Sequence, residues 1–441
     1  MSVPRLTLRA VELYAVSIPL KRPVVSKVGL FDRWPLILID LYTEEGVVGR
    51  SYLEPYLERS VHYLVPAIRD LAEARKGRPI APLHDFRMGR AGLNLIGLEG
   101  VSMIAISVLD MAAWDALAKA AELPLAVFLG GSLAPVPAYN SNGLWLTPVD
   151  ALGEQAAALV AEGGFQGLKL RLGRERLADD TAAIRAVRDA VGEDVKLMVD
   201  FNQGLSLGDA VHRCHGLDDH GLYWFEEPIA YDNLAGYAQI ARELKTPVQI
   251  GENFYGPRAL FEAIQARAGD YVMPDLMRIG GVTGWLRAAA IAGAAGVEMS
   301  SHLYPEVAAH LMRVTETAHW LEWQDWANPI LADPFRLENG HLLIRIGSAT
   351  ASTGTRRQSN AICSWAEDRS LFIAPSRPAG TQVETTGRRT APSRHSRHGR
   401  VVRIRGRTPR SSTKVHQHLQ HIVGRSAGKW VAYLSIFLIS L

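Results

Sequence analysis

The chain has 441 residues, 48% of them hydrophobic and 21% charged, with two cysteines, Cys214 and Cys363. That composition excludes global disorder, a disulfide framework and thiolate-held zinc, and the length suffices for two packed domains. The formal net charge of +3 is uneven, because residues 345–441 carry 17 Lys+Arg against 3 Asp+Glu, leaving −11 on the first 344.

The opening MSVPRLTLRAVELYAV has no unbroken apolar stretch behind a basic head, so it reads as mature sequence of a cytoplasmic protein rather than as a signal peptide. Up to about residue 60 apolar and polar residues alternate, and a Glu-Glu-Gly turn divides LILIDLYTEEGVVGRSYLEP into two runs, which predicts an antiparallel meander. Helical patterning follows. VSMIAISVLDMAAWDALAKAAELP repeats apolar residues at three- and four-residue steps and stops at Pro124, the pattern of a buried amphipathic helix. Residues 1–130 are therefore an α+β domain.

From about 131 to 344, short apolar runs alternate with helical stretches: GLKLRLG, VKLMVD, LYWFEEP, PVQIGEN, YVMPD, VEMSSH and AHWLEW. Such βα alternation implies a parallel sheet. The runs end at Lys169, Asp200, Glu226, Glu252, Asp275, His302 and Glu322, at intervals of 31, 26, 26, 23, 27 and 20 residues. One strand, one helix and their loops fill such an interval, so these residues occupy equivalent places in successive units. With a further strand near VPAYNSN the units close a barrel, and the residues gather at the C-terminal rim.

Three carboxylates from neighbouring strands, Asp200, Glu226 and Glu252, offer oxygen-only ligation, which suits octahedral Mg²⁺, with Mn²⁺ as the alternative. Singly, each could equally cap a helix; three in register argue for a metal. Asp275 and His302 follow on the next two strands as a general base and its orienting carboxylate. Lys169 and Arg171, two apart on one strand, face the same way and are expected to lower the lysine pKa and attract an anion. A surface stripe is the bland alternative for that pair. Glu322 is the candidate general acid. Together these groups remove a proton beside a substrate carboxylate and hold the charge that develops.

DMAAWDALAK, MVDFNQ, WFEEP, GENF, MPDLMRIGGVTGW, MSSHLYPEVAAHL and TAHWLE resemble the mandelate racemase and muconate lactonizing enzyme branch of the enolase superfamily from about residue 5 to 344. The resemblance implies a (β/α)7β TIM-like barrel under an α+β N-terminal capping domain, and a homo-oligomer, an octamer in close relatives. It implies Mg²⁺ on Asp200, Glu226 and Glu252, an Asp275–His302 dyad, Glu322 as acid, and Lys169 on the substrate carboxylate. Asn202 would meet the 2-hydroxyl with Ser141 nearby, and Lys27 and Tyr56 are further candidates for substrate contact. The substrate is a small 2-hydroxy acid or acid sugar. Arg171 stands where the racemase has a second lysine base, and arginine keeps its proton. Dehydration needs only the His302 face, so racemisation and acid-sugar dehydration both stay open. The charged loop KRPVVSKVGLFDRWP, with Lys27, Asp32 and Arg33, leans towards a polar substrate unless those charges face solvent.

Residues 345–441 break the pattern with an Arg-, Ser- and His-rich stretch. A frameshift near Ile344 that leaves a disordered extension is the preferred reading over a nucleic-acid-binding tail, and an inactive barrel is a third possibility. The final WVAYLSIFLISL, at twelve residues, is too short to span a bilayer, which takes roughly 20.

Overall fold

The computed structural model describes residues 5–27 and 29–344. The basic segment 345–441, with its expected frameshift, and Cys363 lie outside the described residues.

The alternating N-terminal segment forms the antiparallel sheet β1 (Leu8–Ser26), β2 (Gly29–Thr43) and β3 (Val48–Leu53), in that order. Gly46 adopts φ +84 in the Glu-Glu-Gly turn, and Thr43 and Val47 close it by hydrogen bonds. Helices α1 (Val61–Glu73), α2 (Pro82–Leu93) and α3 (Val101–Ala120) follow. Helix α3, expected from the sequence to be buried and amphipathic, is buried almost all round rather than on one face, Asp110, Asp115 and Lys119 included. It lies between the cap sheet, where Ser51 Oγ donates to the Val108 carbonyl at 2.8 Å, and the barrel, where Thr283 donates to Asp110. Its length and apolarity would also suit a membrane span, yet most of it is interior here. It ends at Ala120 rather than Pro124, which instead precedes a short α4 (Leu125–Phe128).

Eight parallel strands follow: β4 (Val136–Asn140), β5 (Gly167–Arg171), β6 (Lys196–Asp200), β7 (Trp224–Glu226), β8 (Val248–Ile250), β9 (Tyr271–Val272), β10 (Glu298–Met299) and β11 (Leu321–Trp323). The helices between them are α5 (Leu152–Ala161), α6 (Leu177–Val191), α7 (Leu207–Leu217), α8 (Leu234–Glu243), α9 (Pro257–Ala266), α10 (Leu276–Ile279), α11 (Gly281–Ala295) and α12 (Pro305–Met312). Neighbours run β10-β9-β8-β7-β6-β5-β4-β11, and one parallel bridge, Met299 to Ala318, joins the two edges. The sheet is thus a closed (β/α)7β barrel. A terminal hairpin, β12 (Arg336–Glu338) and β13 (His341–Leu343), adds antiparallel to β4.

Strand periodicity decides which side chains enter the barrel. Leu168, Leu170, Leu197, Val199 and Phe225 face outward under the helices with Leu159, Ile184 and Val187, each worth roughly 1.5–3 kcal/mol of burial. Tyr139, Met198 and Trp224 alternate with them and fill the interior. Lys169, Arg171, Asp200 and Glu226 share that inward phase, so the apolar outer face aims the polar residues at the mouth.

Candidate active site

Arg171 is paired with Asp200 and Asp200 with Glu226 in strand register, which stacks β5, β6 and β7 side by side at the mouth. The expected common strand-end position holds only loosely. Lys169 and Glu322 lie within their strands, whereas Glu252, Asp275 and His302 sit two or three residues beyond theirs. A bridge between Asp275 and His302 continues the parallel pairing past the strand ends and brings that pair together.

His302 is fixed at both nitrogens: Nδ1 lies 2.7 Å from Asp275 Oδ2, and Nε2 lies 3.2 Å from Glu252 and 3.9 Å from Glu322. Asp275 is itself held, because it caps α10 by accepting the Met277 and Arg278 N–H groups. Burial works to strip His302 of its proton, but Glu322, Glu252 and Asp275 outweigh it and hold the imidazole well above an ordinary histidine.

Lys169 Nζ lies 2.7 Å from Glu322, 3.5 Å from Asp200 and in contact with Glu226. The lowered lysine pKa expected from the sequence is reversed. Burial and Arg171 do pull Lys169 down, but the three carboxylates overcome both and raise it. Glu322 also accepts from Ser141 Oγ at 2.7 Å and from the Leu303 N–H at 2.9 Å. Burial raises it, yet Lys169 and His302 win and leave it ionised, so in this arrangement Glu322 is an acceptor, not a proton donor.

The guanidinium of Arg171 donates to the carbonyls of Ser141, Gly143 and Lys169 and to Ser141 Oγ, and it stacks 3.9 Å from the Trp145 ring centre. Asn202, at φ +45, donates its amide to Asp200 Oδ2 at 2.8 Å. Tyr56, at φ +61, lies under the Arg278 guanidinium at 5.0 Å. Lys27 is exposed, with its stem laid over Gly204 so closely that a Cβ there would stand 2.6 Å from Lys27 Cγ. Asp32 is exposed and Arg33 turns back onto Ser17, whereas Lys27 lies over Gly173 and Gly204, in the loops beyond β5 and β6.

Four features escaped the sequence reading. Glu227, beside Glu226, accepts the backbone N–H groups of Gly251 and Glu252 at 3.1 and 3.2 Å and so positions the loop that carries Glu252. Trp34 from the cap and Trp145 and Trp326 from the barrel form an aromatic roof, with Trp34–Trp326 at 4.3 Å and Trp145–Trp326 at 6.3 Å. Glu54 is buried and accepts the Trp34 indole N–H. Arg278 links the Glu252 carbonyl, at 2.9 Å, to Tyr56. The doubled glutamate of WFEEP was the one signal available for Glu227.

The donor set of Asp200, Glu226 and Glu252 is wholly anionic oxygen in a buried site, which fits a hard divalent cation. Burial pushes Glu226 up to about 7 despite Lys169, a sign that its negative charge is under-compensated. Among the described residues no three His, Cys, Asp or Glu side chains stand at ligand spacing; Lys169 bridges two of these carboxylates, and Glu252 is turned to His302.

The family model for the mandelate racemase / muconate lactonizing enzyme N-terminal domain matches residues 9–130, and the enolase C-terminal domain-like model matches residues 151–348. The chain belongs to the mandelate racemase / muconate lactonizing enzyme family. The L-talarate/galactarate dehydratase of Salmonella typhimurium is 34% identical, over 80% of this chain and 91% of its own. Among solved structures, an enolase from the alpha-proteobacterium BAL199 with bound magnesium is 51% identical, has a TM-score of 0.79, and covers 83% of this chain and 100% of that one. An enolase from Bradyrhizobium complexed with magnesium and mandelic acid is 40% identical, with a TM-score of 0.75, over 78% of this chain and 95% of that one.

Proposed function

We propose that this family member is a magnesium-dependent acid-sugar dehydratase that takes the α-proton of a 2-hydroxycarboxylate on one face only. The supporting observation is the immobilised Arg171. It occupies the position on β5 from which a second base would act, three strands round the barrel from β10 and His302. A guanidinium does not give up its proton, so racemisation lacks a partner for His302.

Magnesium held by Asp200, Glu226 and Glu252 would supply positive charge for the substrate carboxylate and oppose proton retention on His302. The residues do the rest. Asp275 fixes His302 through Nδ1 and leaves Nε2 as the basic atom. Nε2 takes the α-proton, the Cα–H electron pair moves into the carboxylate, and Lys169, itself positioned by Glu322 at 2.7 Å, holds the oxygen on which charge accumulates. Loss of the neighbouring C3 hydroxyl discharges that electron pair. The imidazolium returns its proton to the departing hydroxide as water, and the enol relaxes to a 2-keto acid. Arg171 serves as a fixed cation.

A second reading, conversion of an aryl 2-hydroxy acid, is favoured by the roof of Trp34, Trp145 and Trp326 and by the mandelic acid bound to the Bradyrhizobium relative. Incubation with Mg²⁺ and either galactarate, L-talarate or mandelate separates the two. The expected result is 2-keto acid from an acid sugar, lost on chelation and restored by Mg²⁺; inversion of mandelate contradicts it. With this reading goes a cytoplasmic homo-oligomer, up to an octamer, without a nucleic-acid partner, which sedimentation with and without a DNA duplex checks.

A further inference from the structure

Among the buried carboxyls of the cap domain, Glu54 is the one held by the aromatic roof, and the reaction above assigns it no task. Glu54 follows directly on β3 and is 3% exposed. The Trp34 indole N–H donates to its Oε2 at 2.7 Å, and its backbone N–H donates to the Tyr304 hydroxyl at 3.0 Å. Trp34 in turn lies 4.3 Å from Trp326 and 5.2 Å from Tyr56, so the carboxyl is embedded in the aromatic roof. Tyr304 is two residues from His302, so its hydrogen bond from the Glu54 N–H ties the end of β3 that carries Glu54 to the segment that carries the dyad histidine.

An ionised carboxylate without a cation at its side is costly in such surroundings. Burial accordingly lifts Glu54 to about 8, against the hydrogen bond from Trp34 and with the help of Asp275 and Glu306. Near neutrality it keeps its proton, and one O–H is available to donate. Merely satisfying the Trp34 N–H would require no acid, since any amide oxygen accepts as well.

We propose that Glu54 determines specificity: its carboxylic acid hydrogen-bonds a hydroxyl on the part of the substrate remote from the reacting carbon. A polar donor set in an aromatic wall rewards a hydroxylated chain and penalises a bare aryl ring, which would leave the acid unpaired. The inference rests on the 2-hydroxy-acid reading of the site and selects within it.

Calorimetric Kd values for galactarate and mandelate on the Mg²⁺-loaded protein test it without requiring turnover. Wild type is expected to prefer galactarate. Glu54→Gln, which keeps a donor and the acceptor for Trp34, should hold the Kd ratio within about threefold. The double variant Glu54→Leu/Trp34→Phe removes both partners together and should shrink the ratio by about 10- to 100-fold. An unchanged ratio in the double variant, a wild-type preference for mandelate, or binding of neither probe overturns the assignment. Solvent deuterium exchange into each probe, read separately on wild type, reports the reaction itself. Exchange with an unmoved ratio condemns only the role of Glu54, and a shifted ratio without exchange condemns only the reaction.

Discussion

At Arg171, hydrogen bonds to the carbonyls of Ser141, Gly143 and Lys169 and the stacked Trp145 hold a permanent cation. Arg171→Lys replaces it with an ionisable amine two residues from Lys169. The expected outcome is deuterium exchange from both enantiomers of a 2-hydroxy acid, where wild type exchanges one, read by chiral chromatography coupled to mass spectrometry. His310 makes a separate claim on stability. It is buried and neutral, its Nδ1 accepts the Ala126 N–H at 3.3 Å, and burial pushes it down to about 4. Between pH 4 and roughly 6.5 the unfolded chain binds the extra proton, so this contribution, up to ~3 kcal/mol, is present above pH 6.5 and lost as pH falls to 4. Glu306 and Asp110, raised to about 7 by burial, slope the other way. Comparing thermal unfolding of wild type and His310→Gln across that range isolates the histidine, and equal slopes contradict the prediction. The candidate metal carboxylates and the Asp275–His302 pair were legible as candidates because they end strand-like runs at near-constant intervals. Glu54 and Glu227 were not, because a buried acid and a solvated one look alike until packing distinguishes them.

At the scale of elements, α3 is the plate on which the cap sheet rests. A Cβ at Gly49 on β3 would stand 2.1 Å from the Ala112 carbonyl oxygen, a backbone atom that cannot swing aside. Gly49→Ala is therefore expected to cost ~3 kcal/mol, visible as a lower unfolding temperature, and an unchanged temperature would contradict the close approach. The periodicity of helix α3 showed a buried helix but not that both its faces are covered, because an element covered on two sides is apolar on both and the one-sided pattern is blurred. The barrel strands were easier to find than to bound. Those from β7 to β11 have only two or three residues each, and the polar residues read as their ends lie partly in the loops beyond. The loop after β8 shows why this matters: Glu252 is placed by Glu227 from β7's end, not by its own strand. Glu227→Gln should lower Mg²⁺ affinity by about 10- to 100-fold with little change in unfolding temperature, measured by titration calorimetry.

For the whole molecule, the alternation of βα units after an antiparallel start carried the two-part architecture, since each unit must bury its apolar strand under a helix. The roof of the site was beyond such reasoning: Trp34 comes from the cap and Trp145 and Trp326 from the barrel, and no local spacing connects them. The charged loop illustrates the same limit, because Lys27, Asp32 and Arg33 take their meaning from the surface they face. The match to the enolase C-terminal domain-like model ends at residue 348, beside the change in charge. We propose that the segment beyond Ile344 is read out of frame, and resequencing the gene around that codon decides it. The account's central claim is the removal of an α-proton by His302, and the direct measurement is exchange of that hydrogen in D₂O with Mg²⁺ present. Wild type is expected to exchange one enantiomer of its substrate, and His302→Asn to lose that exchange by about 10²–10⁴-fold while still binding Mg²⁺. Exchange that survives in His302→Asn would contradict the account.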